Sequence, residues 1–288
     1  MKGRISLRIL NRQEPKILLV YRGNPSPQVG MTSESMKVSI ITVCLNSAET
    51  IEDTLRSVLS QNYKDIEYIV VDGGSKDDTL GIINRYKNDI AKVISEPDTA
   101  IYEAMNKGIK LSDGDIIATL NSDDMYADQT IVSQIVEFMQ SNDLDAAYGD
   151  LIYVDRDDTG YIKRFWNPGE YKKGAFVKGW TIPHPTFFCR REIFERFGLY
   201  NDKFQIAADF DLMLRFVEKY KIKVDYLPKV IVKMRTGGKA NALNGIIRGN
   251  MEIIRAFRIN GLRLSPLFFI FKPITKISQL FMRPECTE

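Results

Sequence analysis

Residues 115–124 read Asp-Ile-Ile-Ala-Thr-Leu-Asn-Ser-Asp-Asp. A continuous apolar and β-branched run that breaks into an Asx and Ser turn is the pattern of a strand buried on both faces. A strand with one wet face would alternate, and this one does not. The same pattern stands at Val38–Val43, which runs on into Cys44 and Asn46, and at Ile66–Val71, which runs into Asp72-Gly73-Gly74-Ser75. Ala91–Ile94 is a shorter strand of the same kind. Between them the apolar spacing is helical. Ala48–Ser60 places Ile51, Leu55, Val58 and Leu59 on one face, behind Asn46 and Glu49 at capping-box spacing, and Thr79–Tyr86, Ile101–Leu111 and Ile131–Gln140 follow. Strands separated by helices imply βαβ units. The expected class is therefore α/β, with a mostly parallel, Rossmann-like sheet covered by helices on both faces. In such a sheet ligands bind beyond the carboxyl ends of the strands. The acidic turns at Asp72 and at Asn121–Asp124 should therefore share one edge, although they are far apart in sequence.

After Ala146–Tyr153 the pattern changes. Asp155–Gly160 resembles a hairpin turn before Tyr161–Trp166, which predicts antiparallel additions to the sheet. Ala208–Tyr220 is helical, Val224–Lys233 is extended but interrupted at Pro228, and Gly237-Gly238 forms a flexible joint before a helix over Asn241–Ile259 and a C-terminal tail. The chain divides into an N-terminal extension over 1–35, a catalytic domain over 36–240 and a C-terminal helical segment over 241–288. Met36 is a candidate natural start, and a basic arm that docks on the body is the alternative for the extension.

The bulk properties exclude several classes. With 288 residues, 44% hydrophobic and 27% charged, the chain can bury a sizeable core. A formal charge of +3 is too small for a nucleic-acid binder, whose phosphate-tracking surfaces are strongly basic. Cys44, Cys189 and Cys286 are an odd number without metal-like spacing, which argues against a disulfide framework and fits a reducing cytosol. Ile17–Tyr21 is too short for a signal peptide. Over Leu262–Arg283, apolar residues mix with Arg263, Lys272, Lys276 and Arg283, and Lys272-Pro273 interrupts any spanning helix. This segment suits peripheral contact with the inner face of an anionic membrane, or packing on protein. Gly73-Gly74 lacks the dinucleotide fingerprint, and there is no P-loop.

Taken in order, Val38–Val43, Val71-Asp72-Gly73-Gly74-Ser75, Ser95-Glu96-Pro97-Asp98, Asn106-Lys107-Gly108, Leu120–Asp124, Pro183-His184-Pro185-Thr186 and Ala208-Asp209-Phe210-Asp211 resemble glycosyltransferase family 2. The resemblance covers about residues 36–238. It implies a GT-A fold and inverting transfer of a sugar from a nucleoside diphosphate, with a UDP-sugar favoured, to a hydroxyl acceptor. Glycan and lipid-linked acceptors of cell-surface polysaccharide or glycolipid assembly are the expected partners, and Mn2+ or Mg2+ is the expected cofactor.

The departure of a diphosphate leaves negative charge that a hard cation held by one or two carboxylates can stabilise. The resemblance gives this task to Asp123 and Asp124 without separating them. Asn121 stands where the family often has Asp, and is expected to contact the donor as a neutral group. Asp72 resembles the residue that accepts a hydrogen bond from an imide of the donor base; Val43, Asn46 and Asn106 are expected around the same donor pocket. Asp209 resembles the catalytic base that takes the proton of the acceptor hydroxyl, although Ala208 replaces the Glu that usually precedes it. Asp211 lies on a different helical face and is expected to pair with Arg215. His184, the one histidine, is a candidate contact to acceptor or diphosphate. Arg235, just before the glycine joint, is a candidate contact to the donor diphosphate. A non-catalytic nucleotide-sugar-binding module and a sugar nucleotidyltransferase are the two rival functions.

Overall fold

The computed structural model describes residues 17–20, 35–237, 243–266, 268, 269 and 279. Among these, ten strands form one sheet. In chain order they are β1 (Ile17–Val20), β2 (Val38–Cys44), β3 (Ile66–Asp72), β4 (Lys92–Ser95), β5 (Ile116–Asn121), β6 (Asp124–Tyr126), β7 (Ala146–Val154), β8 (Ile162–Trp166), β9 (Phe188–Arg190) and β10 (Val224–Arg235). The order across the sheet is β1-β4-β3-β2-β5-β9-β7-β10-β6, with β8 paired to β7. β4, β3, β2 and β5 run parallel, as the doubly buried apolar runs require, and all seven residues of β2 are buried.

The helices α1 (Ile51–Leu59), α2 (Thr79–Arg85) and α4 (Ile131–Ser141) cover one face. Their Ile51, Leu55, Ile82, Ile83, Ile131 and Ile135 pack on Val38, Ile40, Tyr68 and Val70. The other face carries α3 (Ile101–Leu111), α5 (Arg191–Phe197), α6 (Ala208–Met213) and α7 (Leu243–Ile259), packed on Ile41, Val43, Ile69 and Val71. The alternation of β2 side chains thus feeds two cores, and each fully buried Ile or Val contributes roughly 1.5–3 kcal/mol. α3 lies so close to the sheet that a Cβ on Gly108 would sit 2.4 Å from Ile41 Cγ2, so only glycine fits there.

Several elements depart from expectation. The capping box before α1 does not form: Thr50 occupies the N-cap without a side-chain bond. Asn46 instead adopts a left-handed φ of 51° and accepts a hydrogen bond from the Lys76 N–H at 2.8 Å, joining two loops. The three-residue strands β6 and β9 were not anticipated. β9 runs antiparallel to both β5 and β7, and bridges the parallel half to the rest of the sheet. Pro228 produces register shifts in β10, between Leu227 and Val230 and again before Val232, rather than a break. The helix expected over Ala208–Tyr220 begins as α6 and widens into a π-helix over Leu214–Lys219. Within the expected N-terminal extension, β1 adds an antiparallel edge strand to β4. Most of the apolar and basic tail lies outside the described residues, as do positions 238–242.

Candidate active site

Both acidic turns lie at the carboxyl edge of β3 and β5, as the βαβ reading expects, but their chemistry differs. Asp72, the last residue of β3, is fully buried. Its carboxylate accepts hydrogen bonds from the Gly74 N–H at 3.1 Å, the Ser75 N–H at 3.1 Å, the Ser95 hydroxyl at 2.7 Å and the Ser75 hydroxyl. Gly74, at φ +84°, lets the chain turn back so that these donors converge. The carboxylate expected to face the donor base is thus engaged inside its own loop.

The turn after β5 is held from several sides. Ser122 meets the Ser47 hydroxyl at 2.8 Å, and the Thr54 hydroxyl donates to the Asp124 carbonyl at 2.7 Å. Asn121 Nδ2 donates to Asp124 Oδ2 at 2.9 Å. Yet Asn121 Oδ1 and Asp124 Oδ1 are buried with no hydrogen-bond partner. Burial, and next the charge of Asp123, push the Asp124 carboxyl well above the usual range, and burial raises Asp123 as well. Asp124 opens β6 and is fully sealed, while Asp123 keeps a partly exposed face. The two acids that sequence left together are thereby separated: Asp123 is within reach of solvent and Asp124 stands behind it.

Arg235 is only 5% exposed. Its guanidinium donates to the Asp123 carbonyl at 3.2 Å and the Arg156 carbonyl at 3.1 Å, and forms an ion pair with Asp53. It fastens the acidic turn to α1 and to the loop after β7. Asn106 is likewise engaged, since its amide exchanges two hydrogen bonds with the Tyr200 backbone, at 2.9 and 3.0 Å. Val43 is buried and paired to both Val71 and Asn121. Asn46 binds the Ser75 hydroxyl through its N–H at 2.8 Å. Leu45, between them, is 52% exposed at the same edge.

Asp209 sits in the first turn of α6, partly exposed. Glu252 of α7 accepts the N–H groups of Gln205, Ile206 and Ala207 at 3.0, 2.9 and 2.9 Å, which fixes the entry to α6. Asp209 Oδ1 accepts from the Phe210 N–H at 2.8 Å and lies 3.2 Å from the Tyr102 hydroxyl, whose nearer acceptor is the Ile206 carbonyl at 2.8 Å. The Tyr102 ring stacks on Tyr200, with centroids 5.7 Å apart. The Tyr200 hydroxyl meets His184 Nε2 at 2.7 Å, and the same nitrogen lies 3.2 Å from the Thr119 hydroxyl on β5. A polar and aromatic relay therefore runs from Asp209 to the strand that carries the acidic turn. Burial pushes the His184 pKa down, only partly opposed by the charge of Asp209, so the imidazole is a neutral member of the relay. Neither Tyr102 nor Tyr200 stands out in the sequence, because both look like core aromatics. Asp211 bonds Asn260 at 2.8 Å and lies 3.8 Å from Arg215, the structural partner expected for it.

A hard divalent cation that binds a diphosphate needs only one or two protein carboxylates, because phosphate and water oxygens complete its shell. The described residues hold no cluster of three or more His, Cys, Asp or Glu suited to a metal. An accessible carboxylate at Asp123, with donorless buried oxygens beside it, fits the smaller set.

The chain is similar to known glycosyltransferases. The chain is 33% identical over 218 residues to the Escherichia coli UDP-Glc:alpha-D-GlcNAc-diphosphoundecaprenol beta-1,3-glucosyltransferase WfaP, covering 73% of this chain and 83% of that one. It is 28% identical over 210 residues to a PGL/p-HBAD biosynthesis glycosyltransferase of Mycobacterium bovis, covering 71% and 79%. Among solved structures, residues 1–349 of S. aureus TarS in complex with UDP-GlcNAc superpose with a TM-score of 0.62 at 17% identity, covering 85% of this chain and 72% of that one. The Pyrobaculum calidifontis mannosyltransferase PcManGT, in complex with GDP-Man and Mn2+, gives 0.59 at 17%, covering 91% and 74%. These likenesses bear out the GT-A fold. The model of Glycosyl transferase family 2 matches residues 39–197, more than half of the chain, so the chain belongs to that family.

Proposed function

We propose that this glycosyltransferase transfers a sugar with inversion from a nucleoside diphosphate sugar, with uridine as the base, to a hydroxyl of a glycan or lipid-linked acceptor, with the help of Mn2+ or Mg2+. The observation that carries this reading is the turn after β5, where Asp123 reaches solvent beside two buried oxygens without donors. Asp123 would hold the cation, and Asp124 and Asn121 would shape the site from behind. A bound cation supplies positive charge to the departing diphosphate. Asp209 takes the proton of the acceptor hydroxyl. Its Oδ1 accepts from the Phe210 N–H with the Tyr102 hydroxyl 3.2 Å away, which leaves Oδ2 for that proton. One direct displacement by the activated hydroxyl breaks the bond between the anomeric carbon and the diphosphate, forms the new glycosidic bond on the opposite face and inverts the centre.

We place the acceptor at the inner face of a membrane. On α7, Ile247, Met251 and Ile254 are exposed, and Arg248, Arg255 and Arg258 lie exposed beside them, a combination suited to an anionic bilayer. Among the described residues no helix is long and apolar enough to cross a membrane. α7 also holds the entry to α6 through Glu252, so docking there would bring the Asp209 end towards lipid-borne substrate.

The test is a panel of nucleotide sugars incubated with Mn2+, Mg2+ or EDTA, with donor cleavage followed by chromatography and the product anomer read by NMR. Metal-dependent cleavage of a UDP-sugar and an inverted product are expected. Asp209→Asn should lower transfer about 10²–10⁴-fold with donor binding retained. A retained anomer, or full transfer by Asp209→Asn, would overturn the mechanism.

A further inference from the structure

Asp209 follows Ala208, which is buried and carries no polar side-chain atom, and Ala207 at the N-cap makes no side-chain bond to α6. The place of the base is therefore set from outside its own helix. α7 supplies the hold, from Gly249, Glu252 and Arg255, spaced one turn apart. Gly249 makes room for Ile206, since a Cβ on it would lie 3.3 Å from Ile206 Cγ2. Glu252 accepts the Gln205 N–H on Oε1 at 3.0 Å, and the Ile206 and Ala207 N–H groups on Oε2 at 2.9 Å each. The Arg255 guanidinium carbon lies over the Phe204 ring, 5.3 Å from its centroid. Further along α7, Phe257 packs against Phe210, the neighbour of Asp209, with centroids 5.9 Å apart.

Three successive backbone N–H groups that converge make a concavity suited to an anion, and here the chain's own carboxylate fills it. Hydrogen bonds to an ionised acceptor are about twice as strong as neutral ones. The Glu252 side chain is only 12% exposed, with the Arg248 guanidinium 3.9 Å away. The Ile206 carbonyl is taken in turn by the Tyr102 hydroxyl at 2.8 Å. The segment that leads into α6 is thus held at three donors by α7 and at one acceptor by α3. Asp209 stands two residues beyond Ala207, so a shift of this segment is passed directly to its carboxylate.

We propose that Glu252 is a positioning residue of the reaction: it touches no substrate, and it sets where the Asp209 carboxylate stands against the acceptor hydroxyl. A misplacement of about 1 Å in such a group can cost roughly a hundredfold in rate. Gln at this position keeps one acceptor oxygen, and with it part of the hold, whereas Ala leaves all three N–H groups without their acceptor. This rests on Asp209 as the base, the reading given above.

The experiment uses the full chain with Mn2+ and the nucleotide sugar cleaved fastest in the panel above, with water standing in for the acceptor hydroxyl. It measures kcat and KM for the wild type, Glu252→Ala, Glu252→Gln, Asp209→Asn and the two double variants, with rates counted per site titrated by the matching nucleoside diphosphate. Glu252→Ala should lower kcat about a hundredfold and Glu252→Gln about three- to tenfold, with KM within about threefold in both. On the Asp209→Asn background neither substitution should lower kcat by more than about twofold, because the group it positions is gone. Counting per binding site removes unfolded material from the comparison, and if Glu252→Ala does not fold, Glu252→Gln carries the cycle. The same fractional loss on both backgrounds, or wild-type kcat in Glu252→Gln and Glu252→Ala, overturns the positioning role and leaves Asp209 as the base. Full kcat in Asp209→Asn, or no cleavage by the wild type, overturns the reading of the site and this inference with it.

Discussion

Two turns at one sheet edge carry conspicuous acids, and they differ in what surrounds each carboxylate. The Asp72 turn is closed: two N–H groups and two hydroxyls, from its own loop and from Ser95 on the next strand, converge on one carboxylate, and the Cys44 thiol on β2 adds a longer contact at 3.7 Å. The Asn121–Asp124 turn is open: two buried oxygens have no donor, and Asp123 keeps an accessible face. Both read as ligand-binding turns in sequence, because Asp after a buried strand is the same signal in each. What separates them is hydrogen-bond bookkeeping in three dimensions. Asp72 holds its own loop together, whereas the second turn keeps acceptors that a ligand could meet; the donors around a buried acid decide how well its charge is supported.

The sharpest way to break this contrast is to remove one acid from each turn. Asp123→Ala should lower sugar transfer by about a thousandfold, the scale of a few kcal/mol of lost charge stabilisation, while thermal stability changes little. Steady-state kinetics with a saturating metal series, beside a melting curve, tests this. Transfer within tenfold of the wild type would show that the open turn does not hold the cation.

For the closed turn the effect moves from activity to folding. Asp72→Ala leaves the Gly74 and Ser75 N–H groups and two hydroxyls without their acceptor, and should cost about 2–4 kcal/mol of stability, seen in the midpoint of urea unfolding. A variant as stable as the wild type, with donor binding lost, would make Asp72 a direct contact to the base and remove the contrast.

The parallel half of the fold was legible because doubly buried strands leave continuous β-branched runs. Val38–Cys44, Ile66–Asp72 and Ile116–Asn121 need no tertiary information to be found. β6 and β9 have three residues each, too short for any periodicity, and β9 is held by pairing with distant β5 and β7. The same limit applies to side chains. The position of Asp209 was legible because it opens a helix in a recognisable order, but the Tyr102 hydroxyl that orients it comes from a helix whose pattern shows only an apolar face. Arg235 reads as a candidate contact to the diphosphate before a glycine joint; only the fold shows that Asp53 and two carbonyls bind its guanidinium. Sequence reports which residue types are present, whereas partner counts depend on which loops meet.

An acid with an intermediate surrounding gives the finest test of the rule. Asp150 on β7 is 5% exposed and accepts from the Tyr226 hydroxyl at 2.7 Å. Tyr226 is in turn held by Asn167 at 2.9 Å. This support does not match that of Asp72, and burial pushes the Asp150 carboxyl up to about 6. Its folded pKa lies above the unfolded value near 3.9. The native state therefore binds this proton more tightly, and stability falls as pH rises from about 4 through about 6. Asp150→Asn keeps an acceptor for Tyr226 and removes the charge. At pH 7.5 it should be more stable than the wild type by about 1–2 kcal/mol, less than the full linkage value because water relaxes around a partly reachable group. Near pH 3, below both pKa values, the two proteins should unfold at the same urea concentration, since the wild-type carboxyl is then largely neutral in the folded and the unfolded chain. An equal offset at both pH values would place the effect in packing rather than titration, and one well-placed hydroxyl would then suffice to keep a buried carboxylate charged.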